Sequence, residues 1–143
     1  MLTRRRKMMR NFILCFGCIV LLGLIGEIHS ARLQIKTTKQ VECTTKSKHG
    51  DTLRIHYRGT LENGNEFDSS YKRGQPFVFK IGFGNVIKGW DQGLLDMCEG
   101  EKRRLTIPPE LAYGETGFEG LIKPGATIIF DTELIQINGR DEL

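Results

Sequence analysis

The chain has 143 residues, with 21 Lys and Arg against 17 Asp and Glu. The basic excess lies in residues 1–30, which hold five basic residues and one acidic residue, so that residues 31–143 carry 16 of each sign. A neutral chain of this kind argues against a nucleic-acid surface, and we expect no nucleic-acid partner. Residues 31–143 are enough for one domain with a single core, and we expect a monomer.

Residues 1–30 have the three parts of a secretory signal peptide. A basic stretch at residues 3–10 precedes an uncharged apolar run from Phe12 to Gly26, and small residues follow at Ser30 and Ala31. The apolar run spans 15 residues, whereas a membrane-spanning helix needs about 20. The sequence therefore predicts a signal peptide that is cleaved after Ser30. An uncleaved membrane anchor is the alternative.

Two of the four cysteines, Cys43 and Cys98, lie beyond the predicted signal peptide. An even pair of cysteines in an oxidising compartment favours a disulfide. We predict a Cys43–Cys98 bond, with two free buried thiols as the alternative. Neither cysteine belongs to a Cys-x-x-Cys motif, which argues against a dithiol oxidoreductase, and no zinc-ligand spacing is present, so we expect no metal.

Alternating apolar and polar residues predict strands at 51–61, 76–81, 102–107 and 127–137. Residues 31–50 form an N-terminal segment that is extended from Leu33 to Cys43, which brings the count to about five strands. An Asn-Gly turn follows the first alternating strand, residues 66–70 come next with no element assigned, and a polar loop is predicted from there to Gly74. His56 falls on the polar side of its strand, which predicts a solvated side chain and not a ligand.

One helix is predicted, from about Lys88 to Cys98, because its apolar residues recur at helical spacing. It contains Trp90, the only tryptophan of the chain. Trp90 beside Gly89 can form the floor of a pocket, since glycine lets neighbouring groups approach closely. An ordinary core position is the alternative. These elements predict an α+β fold in which an antiparallel sheet of about five strands wraps on one short helix.

The last four residues, 140–143, read Arg-Asp-Glu-Leu. This tail is similar to the Lys-Asp-Glu-Leu retrieval signal of the endoplasmic reticulum. Its first residue departs from the commonest form, which predicts weaker retrieval. Together with a signal peptide, the tail predicts a protein of the endoplasmic reticulum lumen that binds the retrieval receptor.

The usual catalytic motifs are missing from the sequence. It has no Gly-x-Ser-x-Gly elbow, no phosphate-binding loop and no His-Glu-x-x-His. The two histidines beyond residue 30, His49 and His56, are not in a nucleophile setting. Hydrolysis, phosphoryl transfer and hydride transfer are therefore unsupported, and we expect no organic cofactor. What the chain offers instead is aromatic residues at the ends of strands and loops.

Several of these aromatic residues belong to sequence blocks that resemble the FK506- and rapamycin-binding family of peptidyl-prolyl isomerases, over about Asp51 to Ile137. The signal peptide, the cysteine pair and the tail make the chain most similar to the small members of that family in the endoplasmic reticulum. We assign residues 51–139 to an FKBP-type isomerase domain. The blocks are Ile55-His56-Tyr57-x-Gly59, Phe67-Asp68-Ser69-Ser70, Pro76-Phe77-x-Phe79, Val86-Ile87-Lys88-Gly89-Trp90, Leu111-Ala112-Tyr113-Gly114 and Ala126-Thr127-x-x-Phe130.

The resemblance implies a half-barrel with an apolar pocket between the sheet and the helix. Carried over position by position, it implies catalytic roles for some residues and substrate or ligand binding for others. Trp90 would form the pocket floor, and the backbone N–H of Ile87 would hold the substrate carbonyl. The catalytic set is Tyr57, Phe67, Asp68, Ile87 and Tyr113, and the binding set is Phe77, Val86, Trp90, Leu121, Ile122 and Phe130.

The implied function is catalysis of X-Pro isomerisation during the folding of proline-containing secretory polypeptides, with FK506 and rapamycin as macrolide ligands. The alternative is a non-catalytic module that binds proline segments or partner proteins through the same pocket. Two departures from the family pattern bear on this choice. Asn85 stands where an acidic or amide side chain is common, and Phe118-Glu119 replaces the His-Pro of the best-known cytosolic form in a loop that touches substrate.

Overall fold

The structure is a computed structural model that describes residues 31–138. The predicted signal peptide (1–30) and the predicted retrieval tail (140–143) lie outside the described residues and stay predictions. Six strands, two short α-helices and one 3-10 helix (Pro109–Leu111) occur between residues 31 and 138. The strands and α-helices are β1 (Gln34–Lys39), β2 (Thr52–Leu61), β3 (Glu66–Ser69), α1 (Ser70–Arg73), β4 (Phe77–Lys80), α2 (Lys88–Gly93), β5 (Lys102–Ile107) and β6 (Ile128–Asn138).

The six strands form one antiparallel sheet in the order β1-β5-β6-β2-β3, and β4 also pairs with β2. The alternation predicted for β2 is observed, since Leu53, Ile55 and Tyr57 are buried while the residues between them are not. The buried face packs on α2, and the two enclose the core. This confirms the predicted α+β architecture. No helix within residues 31–138 is long and apolar enough to cross a membrane.

The sheet has one more strand than the sequence indicated, because β3 forms in a stretch to which the sequence assigned no element. β3 is four residues long and mostly polar, so its own sequence gives little strand signal. It pairs with β2, which places Asp68 opposite Gly59 and Ser69 opposite Arg58. The pairing with a longer strand therefore decides its conformation, as is common for short strands.

The helix α2 ends at Gly93, whereas the apolar spacing predicted a helix to about Cys98. Side chains from elsewhere in the chain bind the backbone carbonyls at this point. The Arg103 guanidinium donates to the Gly93 carbonyl at 2.9 Å, and the Ser47 hydroxyl donates to the Leu94 carbonyl at 2.6 Å. Because these carbonyls have other donors, the chain leaves the helix and still satisfies its backbone groups.

The predicted disulfide is present and joins Cys43 to Cys98, with a Cα–Cα distance of 5.8 Å. The alternative of two free thiols was wrong. The bond ties the segment before β2 to the turn after α2, across a sequence separation of 55 residues. A cross-link of this span restricts the unfolded chain much more than the folded one.

We predict that reduction of this disulfide lowers the free energy of unfolding by about 4 kcal/mol, the value that the chain-entropy relation gives for a loop of this length. Guanidinium unfolding of the oxidised protein and of the same protein held reduced by a phosphine measures the difference without changing the sequence. Equal midpoints for the two forms would contradict the prediction.

Candidate functional site

A cavity of about 260 Å³ opens between the sheet and α2. It brings together nine of the eleven side chains that the sequence assigned to a site, and it adds Asn85. The exceptions are Leu121 and Ile122, which do not line it. The lining residues are Tyr57, Phe67, Asp68, Phe77, Asn85, Val86, Ile87, Trp90, Tyr113 and Phe130.

Aromatic rings form the floor and the walls of this cavity. The Trp90 indole is only 4% exposed. The rings of Tyr57, Phe77 and Phe130 stand nearly perpendicular to it, with centroids 5.0, 6.1 and 5.1 Å away. Edge-to-face contacts of this kind are favourable for aromatic pairs and hold each ring in one orientation. The result is an apolar box whose floor is the indole.

Gly59 gives two of the wall rings the room they need. A Cβ atom at this position would lie 2.7 Å from Cζ of Phe67 and 2.8 Å from Cε1 of Phe130. Both distances are shorter than real Cβ contacts. Glycine is therefore required here for close approach, and this explains its place in the block Ile55-His56-Tyr57-x-Gly59.

A polar network lies at one side of the cavity mouth and joins Tyr57, Asp68 and Arg73. The Tyr57 hydroxyl donates to Oδ2 of Asp68, and the Arg73 guanidinium donates to Oδ1 of Asp68. Arg73 also donates to the Tyr57 hydroxyl at 2.6 Å. The Ser69 backbone N–H completes the set with a 2.8 Å bond to Oδ1 of Asp68. The phenol ring of Tyr57 is thus fixed at its polar end as well as by its ring contacts.

Arg73 was not identified from the sequence. The stretch from Ser70 to Arg73 had been predicted as part of a polar loop, and it forms the single turn of α1. The sequence did place a basic residue five positions after Asp68, and one helical turn between them brings its side chain within reach of the Asp68 carboxylate. Charge complementarity over so short a distance could have identified it.

The network shifts the pKa values of its members in opposite directions. Burial, the largest cause, and the hydrogen bond to Asp68 together outweigh the opposite effect of Arg73 and raise the pKa of Tyr57 to about 12. Burial also tends to raise the pKa of Asp68, but the hydrogen bonds from Tyr57 and Arg73 outweigh it and hold this pKa below its usual value. At neutral pH the network therefore consists of a neutral phenol, a carboxylate and a guanidinium.

Two donors at the cavity stay available to a bound molecule. Among the hydrogen bonds formed within residues 31–138, none uses the backbone N–H of Ile87, whose carbonyl accepts from Trp90 at 2.9 Å. The second is the Tyr113 hydroxyl, which has no partner in the same range. Burial and the nearby negative charge of Asp68 raise the pKa of Tyr113, so this phenol keeps its proton. Tyr57 cannot serve as a donor in the same way, because its one proton is already bound to Asp68.

A turn at residues 117–122 lies beside Tyr113. The Phe118 ring lies 5.2 Å from the Tyr113 ring, and the Phe118 N–H donates to the Ile122 carbonyl at 2.9 Å. Ile122 is buried in the core, whereas Leu121 is 52% exposed. The resemblance placed both residues in contact with ligand. In the structure, Ile122 anchors the turn and Leu121 projects into solvent, so neither forms a wall of the cavity.

No group of three or more His, Cys, Asp or Glu side chains suited to a metal ion occurs between residues 31 and 138. The groups at the cavity are its apolar walls, the polar network of Tyr57, Asp68 and Arg73, and the two free donors. A site of this composition can enclose a small apolar ring and hold one carbonyl oxygen.

Comparison with known proteins agrees with this geometry. The family of FKBP-type peptidyl-prolyl cis-trans isomerases matches residues 43–135, which is more than half of the chain. The chain belongs to this family. The match confirms the resemblance seen in the sequence and identifies this chain as a peptidyl-prolyl isomerase.

Individual relatives are similar over nearly their whole length. FK506-binding protein 2 of Emericella nidulans is 58% identical over 128 residues, which cover 87% of this chain and 94% of that protein. Peptidyl-prolyl cis-trans isomerase FKBP2 of Homo sapiens is 58% identical over 119 residues, which cover 82% and 84%. A crystal structure of AtFKBP13 superposes with a TM-score of 0.68 at 45% identity, covering 74% of this chain and 93% of that one.

We predict that Gly59→Ala lowers the free energy of unfolding by about 1–3 kcal/mol, the usual cost of overpacking, because the added methyl group displaces Phe67 or Phe130. In a Phe67→Leu background the smaller side chain gives way, and the same glycine substitution should cost less. Urea unfolding of the four proteins of this cycle measures both costs. An equal cost in the two backgrounds would show that the Phe67 ring is not what the methyl group displaces.

The raised pKa of Tyr57 predicts a loss of stability at alkaline pH. An unfolded tyrosine ionises near pH 10, while the folded Tyr57 holds its proton to about 12. Above pH 10 the folded state therefore binds more protons than the unfolded state, and its stability falls as pH rises. The difference in unfolding free energy between the wild type and Tyr57→Phe should be constant from pH 7 to 9 and shrink by pH 11. A difference that stays constant to pH 11 would show that the pKa of Tyr57 is not raised in the folded state.

Proposed function

We propose that this protein catalyses the cis-trans isomerisation of X-Pro bonds in newly made polypeptides of the endoplasmic reticulum lumen, with the cavity over Trp90 as its active site. The observation that carries the proposal is an aromatic cavity with the Ile87 N–H unused at its edge. The uncatalysed reaction takes about 10–100 s, which is slow enough to limit folding. A catalyst in a folding compartment has an evident use.

The reaction needs rotation about one amide bond and no transfer of a group. Amide resonance opposes the rotation with a barrier of about 20 kcal/mol. In the planar amide the oxygen carries more negative charge than in the twisted one. An apolar enclosure such as the ring box around Trp90 stabilises the less polar twisted amide relative to the planar ground state. This explains why an efficient site can lack a nucleophile and a general base.

The two free donors position the substrate in this scheme. The Ile87 N–H binds the carbonyl oxygen on the proline side and fixes one half of the substrate while the other half turns. The Tyr113 hydroxyl, at the mouth, can bind a second carbonyl of the chain. An oriented donor in a site that excludes water contributes about 2–4 kcal/mol. Asp68 stays ionised and accepts a hydrogen bond from the Tyr57 hydroxyl, which fixes the Tyr57 ring as a wall of the cavity.

FK506 is a proposed ligand of the same cavity, because the Emericella nidulans relative is named FK506-binding protein 2. Rapamycin is proposed from the family resemblance. The cavity of about 260 Å³ is smaller than the roughly 300–1,000 Å³ of sites that enclose whole drug-sized ligands. A macrolide would therefore insert one ring-sized group over Trp90 and lay the rest of its surface on the rim near Phe118 and Leu121.

The proposed compartment depends on three features. The predicted signal peptide would deliver the chain to the lumen, and the predicted Arg-Asp-Glu-Leu tail would return it there through the retrieval receptor. The Cys43–Cys98 disulfide supports the same location, since such bonds persist in oxidising compartments. Proline-containing secretory polypeptides are then the substrates within reach.

A binding module without turnover is the second candidate. The observation that favours it is the exposed apolar pair at the rim, with Phe118 42% and Leu121 52% exposed. A surface of this kind can hold a partner without catalysis. The intact ring box and the two free donors support the enzyme, because an apolar enclosure that holds one carbonyl favours the twisted amide over the planar one.

We predict that the processed protein, purified from a secretory host, accelerates isomerisation of a peptide with an apolar residue before proline, and that FK506 abolishes the acceleration.

Joint substitution of Phe67→Ala and Asp68→Ala should lower kcat/KM by roughly 10- to 100-fold, because a wall and a charge-assisted contact are lost. Asp68→Asn, with the same shape and no charge, separates the charge from the packing.

The outcomes of these assays distinguish the isomerase from the binding module. Acceleration that FK506 blocks supports the isomerase with its chemistry in the cavity. Tight FK506 binding without acceleration in the wild type supports the binding module. A folded, oxidised protein that shows neither would overturn the proposed function and leave the fold.

A further inference from the structure

The edge of β2 that faces β3 and β4 has a gap in its pairing. Residues Thr52–Ile55 pair with β4, and Arg58–Thr60 pair with β3. Tyr57 lies between these two stretches, and on this edge no strand pairs with it. The Ser70 hydroxyl fills the gap, since it accepts the Tyr57 N–H at 2.7 Å and lies 3.2 Å from the Tyr57 carbonyl. Ser70 is fully buried, so this side chain replaces a strand partner and is not an incidental contact.

His56 binds the same helix from the outer face of the sheet. Its Nδ1 lies 2.9 Å from the Ser70 Oγ, and its ring stacks on the Tyr71 ring at 4.5 Å with an angle of 11°. The Tyr71 hydroxyl in turn donates to Glu133 on β6 at 3.2 Å. The alternation of β2 placed His56 on the correct face, but the side chain is half-buried against Ser70 and Tyr71, where the sequence predicted a solvated one. We call His56, Ser70 and Tyr71 the back-face clamp.

The clamp sits at one end of α1 and the polar network of the cavity sits at the other. A four-residue helix has no stability of its own, so its position depends on what holds its ends. Ser70 and Tyr71 begin α1, and Arg73 ends it. Arg73 is the residue that binds both Tyr57 and Asp68. The placement of the guanidinium therefore follows from the placement of the clamp.

We infer that His56 is a positioning residue of the isomerase, which rests on the proposed function: through the Ser70 hydroxyl it holds α1 so that Arg73 keeps Tyr57 and Asp68 in their places at the cavity. His56 itself does not touch the cavity, which lies on the other face of β2. The inferred route to the cavity runs from His56 through Ser70 and α1 to Arg73.

A double-mutant cycle tests this route. In the wild type, His56→Ala should lower kcat/KM about 10-fold, and Arg73→Ala should lower it by a similar factor. In the Arg73→Ala background, His56→Ala should change kcat/KM by less than twofold, because residues that act through one another are not additive. If the two losses multiply, His56 acts on the site by another route and the inference is overturned.

Rescue separates positioning from a general loss of stability. His56→Asn can place a polar atom where Nδ1 lies and keep the contact with Ser70, whereas His56→Phe keeps the ring that stacks on Tyr71 and loses that contact. We expect kcat/KM of the Asn variant within threefold of the wild type and kcat/KM of the Phe variant as low as that of His56→Ala. The reverse order would overturn the role of Ser70. His49→Ala, which removes a histidine that contacts Phe83, is the control and should leave kcat/KM unchanged.

A readout independent of turnover covers the case in which the proposed function fails. The guanidinium Nη–Hη signal of Arg73 in the NMR spectrum of the full protein reports this hydrogen bonding, because the two Nη atoms donate to Asp68 and Tyr57. A shift of this signal in His56→Ala, with a wild-type position in His56→Asn, supports the clamp even if the wild type shows no isomerase activity. An unchanged signal in His56→Ala overturns the inference whatever the activity.

Discussion

The close approach of α2 to β5 determines where the cavity lies. Gly89 and Gly93 are four residues apart and therefore share one face of the helix. A Cβ atom at Gly89 would lie 2.4 Å from Cγ2 of Ile107, and one at Gly93 would lie 2.9 Å from the two Cδ atoms of Leu105. At these two positions the helix backbone packs directly on the Ile107 and Leu105 side chains of the strand, because the helix itself contributes no side chain there. Because the helix is held so close, Trp90 enters the space that the twisted sheet leaves open.

The ring box follows from this placement. Trp90 meets rings that come from β2, from β4 and from β6, so that three strands contribute the walls and one helix contributes the floor. Tyr57 joins this apolar floor to the polar rim, since its ring is a wall and its hydroxyl is held by Asp68 and Arg73. Charge is thus kept at the mouth, where it fixes a ring, and away from the floor, where it would favour the planar amide. An isomerase of amide bonds needs this division and no acid-base pair.

The sequence predicted the elements whose own residues determine them. Four alternating strands were found where expected, because one buried face imposes a period of two. β3 and α1 were missed, since the first takes its form from β2 and the second from the Ser70 and Arg73 contacts. The end of α2 was misplaced for the same reason, as Arg103 and Ser47 bind carbonyls that a sequence pattern cannot assign. The sequence blocks located nine cavity residues, but motif position alone could not show that Ile122 points into the core.

The floor and the rim of this cavity are under separate structural control. The turn beside Tyr113 is closed by its own bond between Phe118 and Ile122 and is anchored by burial of Ile122, so its exposed residues can change without disturbing Trp90. Glu119 adopts a φ of 42° in this turn, a left-handed conformation that costs a non-glycine residue about 1–2 kcal/mol. The turn nevertheless holds Phe118 against Tyr113, next to the free hydroxyl. Chemistry at the floor and the choice of substrate at the rim can therefore vary independently in chains that share this fold.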